Sequence, residues 1–343
     1  MARNFKTKLT SLLSVDSPIV CAPMAGASGA LLASQVTLGG GFGFIAAGYD
    51  APEAFERELL VARSELNIPP GETLPIGVGF LVWQLEKAGL SESPTLNLTL
   101  QHGVKAVWFA FGENLQLWIE QVRAHDRVSG HRTIVFVQVT SLAEAQLALH
   151  GWKVDVLVVQ GIESGGHGSS EALPLLTFLL EVLSIVPEDG PPVLAAGGLA
   201  SGVHLASVLA AGASGAVFGT RFLLSPESLY TDAQRLALVN AKSDSTVRTL
   251  AFDQVRGTVG WPHNVDGRAL TNLTVEEFNQ GEDLEELRKK WQEGTKEGNP
   301  ERMLVWAGMG VGMMTSVMPA KDILKEIHHD CLRRIEKLPG LLG

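Results

Sequence analysis

The sequence predicts an α/β fold, a (β/α)8 barrel of the TIM type carrying a small inserted helical subdomain. Short apolar runs recur at intervals of roughly 25 residues, and each is followed by a segment of helical period, the alternation expected of parallel βα units. Eight such runs can be placed, the number that closes a barrel. The chain has 343 residues, longer than most single domains yet suited to a barrel plus an attachment.

The candidate strands are Ile19–Ala22, Gly43–Ala46, Pro75–Val78, Ala106–Phe109, Thr133–Val137, Val156–Val159, Pro192–Ala195 and Gly215–Phe218. Val156-Leu157-Val158-Val159 shows the pattern best: it has no polar alternation, as a strand covered on both faces requires. Helical periodicity marks Ala30–Leu38, Pro52–Leu66, Leu115–Asp126, Leu142–His150, Leu173–Ile185 and Ser201–Ala211, with a weaker pattern around Pro94–His102. An open doubly wound sheet would carry Gly-x-Gly-x-x-Gly after its first strand. Here the first strand runs into Pro23-Met24-Ala25-Gly26 instead.

After Phe218 the pattern changes. Residues 225–300 are polar and include a charged helix around Asp283–Lys296, which reads as the inserted, substrate-side subdomain. Residues 1–224 and 301–343 then form the barrel, with Trp306-Ala307-Gly308 returning to a glycine-rich rim and Ile323–Lys337 supplying the eighth helix.

Composition excludes several classes of partner. The formal net charge is −10, which argues against nucleic acid, since a phosphate-backbone partner normally leaves a basic face. The two cysteines, Cys21 and Cys331, lie far apart and form no metal-ligand spacing, as in a reducing, cytoplasmic setting. Residues 191–220 lack charge apart from His204 and could pass for a membrane span, but their six glycines divide them into strand, loop, helix, loop and strand. The segment before Asp16 bears only basic charges and lacks the apolar core of a secretion signal. Apolar helix faces that pack on a barrel and faces that pair subunits share one periodicity, so a homodimer is allowed without being required.

The chemistry converges on strand ends, where a barrel keeps its reacting groups. The sixth strand runs into Gln160-Gly161-Ile162-Glu163-Ser164-Gly165-Gly166-His167-Gly168, a glycine turn holding one imidazole that can exchange a proton near neutral pH. As a turn residue His167 would be structural, but its glycine flanks and strand-end position favour a functional role. The turns after strands seven and eight, Gly197-Gly198 and Gly219-Thr220, stand where barrels commonly hold phosphate. No phosphate loop of the Gly-x-x-x-x-Gly-Lys type, no Gly-x-Ser-x-Gly elbow and no acidic cluster of metal type occurs, so a cofactor is expected to perform the difficult step.

Taken in order, Ala22-Pro23-Met24-Ala25-Gly26, the Gln160–Gly168 turn, Ala195-Ala196-Gly197-Gly198-Leu199-Ala200-Ser201-Gly202, Phe218-Gly219-Thr220-Arg221-Phe222 and Trp306-Ala307-Gly308 resemble the nitronate monooxygenases, formerly 2-nitropropane dioxygenases. The similarity spans about residues 10 to 335 and is nearest the fungal type, which shares runs like Ala106-Val107-Trp108-Phe109 and Phe136-Val137-Gln138-Val139. The resemblance implies bound FMN, with backbone contacts to the isoalloxazine from Ala22, Pro23 and Met24, Gln138 facing the ring, Gly165 and Gly166 letting it lie close, and Gly197, Gly198, Gly219 and Thr220 on the phosphate. His167 would be the base. Many bacterial relatives carry Lys in place of Gln138 and Asn in place of Gly79, departures that concern the charge beside the ring.

The expected reaction joins a nitroalkane or nitronate with O2 and yields nitrite and a carbonyl compound, His167 removing the acidic α-proton. The same scaffold and Gly-Gly-His turn also resemble FMN reductases that carry hydride from NAD(P)H to quinones or enoyl thioesters. Among other residues, His204 reads as a packing or helix-dipole feature and Glu163 as an exposed neighbour of the cleft. His263, in Trp261-Pro262-His263, is a candidate to reach the cleft from the insertion, and Trp108, at a strand end, to border it.

Overall fold

Eight parallel strands close a barrel in the computed structural model, which describes residues 4–49, 51–87 and 93–341. They are β1 (Ile19–Cys21), β2 (Phe42–Ala46), β3 (Leu74–Leu81), β4 (Val104–Ala110), β5 (Ile134–Val139) and β6 (Val156–Gln160). After β7 (Gly166–Ser169), which leaves the barrel, come β8 (Val193–Ala196) and β9 (Gly215–Phe218). β9 returns to β1, Ala216 lying opposite Ile19, so no sheet edge is left open. Every run expected to form a barrel strand does so, and β3 and β5 run further toward the rim than their apolar stretches alone suggested, taking in Gly79 and Gln138.

The unbroken apolar runs are explained by two burial environments. Val156 and Val158 belong to the cluster inside the barrel, together with Phe42, Phe44, Trp108 and Phe136. Leu157 and Val159 face the surrounding helices beside Phe178 and Leu179. The barrel interior is a packed aromatic plug: Phe44 meets Phe136 and Trp108 edge-on at 5.1 and 5.3 Å, and Trp108 stacks on Phe136 at 5.8 Å. Each such pair contributes about 0.5–1.5 kcal/mol beyond the area it buries. Leu9 and Leu13, from a short helix Lys8–Leu13 with no counterpart in the sequence reading, join the same cluster.

Helices Ala30–Leu38, Pro52–Glu65, Pro94–Gln101, Leu115–Ser129, Leu175–Ile185, Gly202–Ala210 and Ala320–Lys337 stand close to their expected positions. The weak Pro94 segment is a true helix, its first turn capped by the Ser93 hydroxyl, which accepts from Leu96 N–H. The expected helix Leu142–His150 is α-helical only to Gln146 and continues as a π-turn, Leu147–Trp152. No described helix is long and apolar enough to cross a membrane.

The insertion departs from a purely helical expectation. Besides helices Asp232–Asn240, Ala251–Arg256, Leu273–Asn279 and Leu284–Glu297 it contains β10 (Thr246–Thr249) and β11 (Val265–Leu270). These form an antiparallel sheet in the order β10-β11-β7, so the Gly166–Ser169 segment expected to be a turn is its edge strand. The pairing joins residues about a hundred positions apart, and Gly-His-Gly-Ser has little strand propensity of its own, so a local pattern does not show it.

Candidate active site

His167 sits on β7 opposite Gly267 of β11. Its strand is also tied back to the barrel, because Gln160 Nε2 at the end of β6 donates to the His167 carbonyl at 3.2 Å. The imidazole is held on three sides. Trp261 stacks on it with ring centres 3.6 Å apart and planes 10° from parallel, and Trp306 approaches edge-on at 4.9 Å. A side chain at Gly267 would collide with Trp306, its Cβ falling 2.3 Å from the indole, so this glycine makes room for the clamp. The third side is Asp253, both of whose oxygens lie 3.0 Å from His167 Nε2. Asp253 is 1 % exposed and also accepts from the Thr258 hydroxyl at 2.8 Å. A buried carboxylate facing a ring nitrogen orients the imidazole and favours a proton on Nε2, toward the carboxylate.

His167, Trp261 and Trp306 border an open cleft at the C-terminal ends of the barrel strands, with Asp253 buried behind them. Ala22, Pro23, Met24, Gln138, Gly165, Gly166, His167, Gly197, Gly198, Gly219 and Thr220 all line it, so the structure brings the sequence-selected residues together in one place. Trp108 lines it as well. Gly197 and Gly198, with φ of +119° and +67°, hold backbone conformations that disfavour any side chain. The Thr220 hydroxyl accepts from Gly308 N–H at 3.0 Å, which ties the turn after β9 to the returning rim segment.

Four readings are refined at this level of detail. Of the Ala22-Pro23-Met24 segment, Ala22 N–H is given to Phe218 and Met24 N–H to the Ser28 hydroxyl, and proline has none, so only carbonyl oxygens remain there for a ligand. Gly165 answers to packing: a Cβ would fall 2.4 Å from Gly308 N. Glu163 caps a helix, its carboxylate accepting Leu175 N–H at 2.9 and 3.0 Å, because the preceding Pro174 offers no side-chain acceptor. His263 is exposed and does not line the cleft, whereas Trp261, two residues earlier, does. Gly79 stands where Pro23 packs, at 2.3 Å from a would-be Cβ, so an Asn in its place would displace Pro23.

With this geometry in view, comparison with known proteins is specific. The family model for nitronate monooxygenase matches residues 81–330. The chain belongs to the nitronate monooxygenase family. It is 33% identical to a nitronate monooxygenase of Metarhizium robertsii, with 92% of this chain and 91% of that one aligned. A nitronate monooxygenase of Neurospora crassa is 30% identical over 97% of this chain and 94% of its own. Among solved structures, nitroalkane oxidase from Streptomyces ansochromogenes superposes with a TM-score of 0.77 at 28% identity, covering 97% of this chain and 100% of that one.

As a nitronate monooxygenase family member the chain is an oxidoreductase, and its candidate site includes residues that the sequence did not single out: Asp253, Trp261 and Arg256. Asp253 lies 86 residues from its histidine and is one acid among many in a polar insertion. Arg256 follows one helical turn later. His204, by contrast, behaves as read: Nδ1 accepts from the Ser201 hydroxyl at 3.1 Å and Ala200 N–H at 3.4 Å, and burial lowers its pKa, favouring the neutral acceptor form.

Proposed function

We propose that the protein oxidises nitronates and nitroalkanes with O2 to a carbonyl compound and nitrite, using FMN in the cleft and His167 as the base toward nitroalkanes. The single observation that carries this reading is His167 bound through Nε2 to buried Asp253 on the rim of a cleft whose far turns are Gly197-Gly198 and Gly219-Thr220. The names of the fungal relatives and of the Streptomyces neighbour support the substrate class.

The residues present fit the cofactor. Gln138 Nε2, Gln160 Oε1, Ser164 Oγ and Trp261 Nε1 are buried at the cleft with no hydrogen-bond partner among the described residues. Such unpaired donors and acceptors are costly without a ligand, and a heteroaromatic ring with polar edges would satisfy them. Gly197, Gly198, Gly219 and Thr220 would hold the phosphate, Gln138 and the carbonyls of Ala22 and Pro23 the ring edge, and Gly166 would admit the ring plane. Bound FMN supplies the redox chemistry, taking electrons from the nitronate carbon and passing them to O2. His167 Nδ1, left with its lone pair, removes the α-proton of a neutral nitroalkane, while Asp253 and the two indoles keep the ring from turning away. Residues 225–300 form the substrate-side subdomain, which supplies Asp253 and Trp261.

Replacing His167 by Asn tests the assignment. Turnover of neutral nitroalkanes should fall about 10²- to 10⁴-fold, the usual worth of a positioned base, while turnover of preformed nitronates should change far less. Equal losses on both would remove the proton-abstraction role. Anaerobic bleaching of the protein by NADH or NADPH, and not by nitronate, would overturn the oxidase reading in favour of a reductase.

A further inference from the structure

Among the described residues that line the cleft, Arg256 is the one side chain with a permanent charge. No carboxylate shares that lining, and Arg256 makes no hydrogen bond or ion pair with any described residue, although this protein carries a net charge of −10 and its other half-buried arginines are paired, as Arg248 is with Asp266 and Arg302 with Glu277. Its charge is felt by two cleft tyrosines, Tyr49 and Tyr230, both of whose pKa values burial pushes up, so neither supplies a compensating anion. A half-buried guanidinium lining the same cleft as Trp261, Trp306 and Tyr230 has lost part of its hydration and has no partner among the described residues.

Its position is fixed relative to the base. Arg256 ends the short helix Ala251–Arg256 that carries Asp253 three residues earlier, a spacing that sets two side chains on one helix face about 5–6 Å apart at Cβ. The helix that carries Asp253, and so orients His167, therefore also delivers the cation to the cleft. A nitronate has two coplanar oxygens sharing one negative charge, which match the two parallel N–H bonds of a guanidinium as a carboxylate does.

We propose that Arg256 is the substrate-charge selector of this site: it binds the two oxygens of the anionic nitronate and stabilises the same charge as it develops when a neutral nitroalkane loses its proton. This rests on the function proposed above, and it predicts a split between kinetic constants. For preformed nitronate the anion exists in the ground state, so Arg256→Gln should raise KM about 10- to 100-fold, the worth of a charge-assisted hydrogen bond. For a neutral nitroalkane the charge exists only in the transition state, so the same change should lower kcat and leave KM nearly unaltered.

Equilibrium binding provides a readout independent of turnover. Nitrate, a planar unreactive oxyanion, is titrated against the tryptophan fluorescence of the purified protein. The wild type should show saturable quenching that weakens with added sodium chloride, Arg256→Lys should bind more weakly, and Arg256→Gln should not saturate. Arg256→Lys keeps the cation and guards against a folding defect in the glutamine variant, which circular dichroism checks directly. Identical nitrate titrations in wild type and Arg256→Gln, or equal KM changes on nitronate and nitroalkane, would overturn the assignment. Arginine-dependent nitrate binding in a protein that turns over neither substrate would keep the anion site and discard the proposed reaction.

Discussion

Replacing Asp253 by Asn isolates what the carboxylate does for His167. The two side chains have nearly the same shape, and Asp253 is 1 % exposed, so the substitution changes hydrogen-bond character with little change of volume. Asp253 Oδ1 accepts from Thr258, and both oxygens lie 3.0 Å from His167 Nε2. An asparagine keeps the Thr258 bond by placing its carbonyl oxygen at the Oδ1 position, which puts its NH2 group where Oδ2 was. A donor then meets Nε2, the imidazole proton moves to Nδ1, and the nitrogen that should accept the α-proton is already occupied. A base in the wrong tautomer loses most of its advantage, so kcat/KM for neutral nitroalkanes should fall about 10²- to 10⁴-fold, or about 2.7–5.4 kcal/mol of transition-state stabilisation. Preformed nitronates bypass the proton transfer and should be oxidised within a few-fold of the wild-type rate.

The assay is oxygen uptake with a nitroalkane and with its separately prepared nitronate, at one pH, with thermal melts confirming that both proteins are folded. A nitroalkane rate reduced less than threefold would show that Asp253 does not set the tautomer. Equal losses on the two substrates would show that the substitution damages the cleft as a whole, and the argument from the His167–Asp253 contact would fail.

Two further substitutions probe the frame around the site. Gly165→Ala places a methyl 2.4 Å from Gly308 N and 2.5 Å from the Ala307 carbonyl carbon, backbone atoms that cannot rotate aside. The overpacking should cost about 1–3 kcal/mol, read as a lower melting temperature, and an unchanged melt would show that the rim segment is free to shift. His204 has a pKa that burial holds below its usual value, so the unfolded chain takes up this proton first as pH falls. The stability due to neutral His204 is therefore complete above about pH 6.5 and declines below it. His204→Asn keeps an acceptor near Ala200 and Ser201 without titrating, so urea unfolding midpoints should fall less between pH 7 and pH 5 than in the wild type, and parallel declines would exclude His204 as the sensor.

The barrel and the glycine turns of the cleft are legible because their causes are local. A strand buried on both faces must be apolar throughout, as Val156–Val159 is, and a turn at φ of +119° followed by +67° favours glycine, as Gly197-Gly198 supplies. His167 stands out for a similar reason, as one histidine among glycines at a strand end. Its supports do not. Asp253 earns its role only because β7 pairs with β11, and Trp261 reaches the imidazole from a polar loop in which His263 looked the better candidate. Glu163 reads as an exposed neighbour of the cleft, yet it is half-buried, with its carboxylate capping a helix. The helix start that consumes its carboxylate begins after Pro174, more than ten residues on.

The division has a mechanistic consequence. The residues proposed for the flavin phosphate and ring edge come from barrel strands and their turns, whereas Asp253, Arg256 and Trp261 come from the segment 225–300. The two halves meet at β7, whose one strand partner is β11 of the insertion, while Gln160 at the end of β6 grips the same strand at His167 from the barrel side. A shift of one residue in the β7–β11 register would turn His167 to the opposite face of the sheet, away from Asp253, without disturbing a glycine of the phosphate turns. Under the proposed function, cofactor binding and proton abstraction are thus carried by separate parts of the fold. The barrel turns would keep their flavin contacts after such a shift, while the orientation of His167 depends on the segment 225–300 together with Gln160.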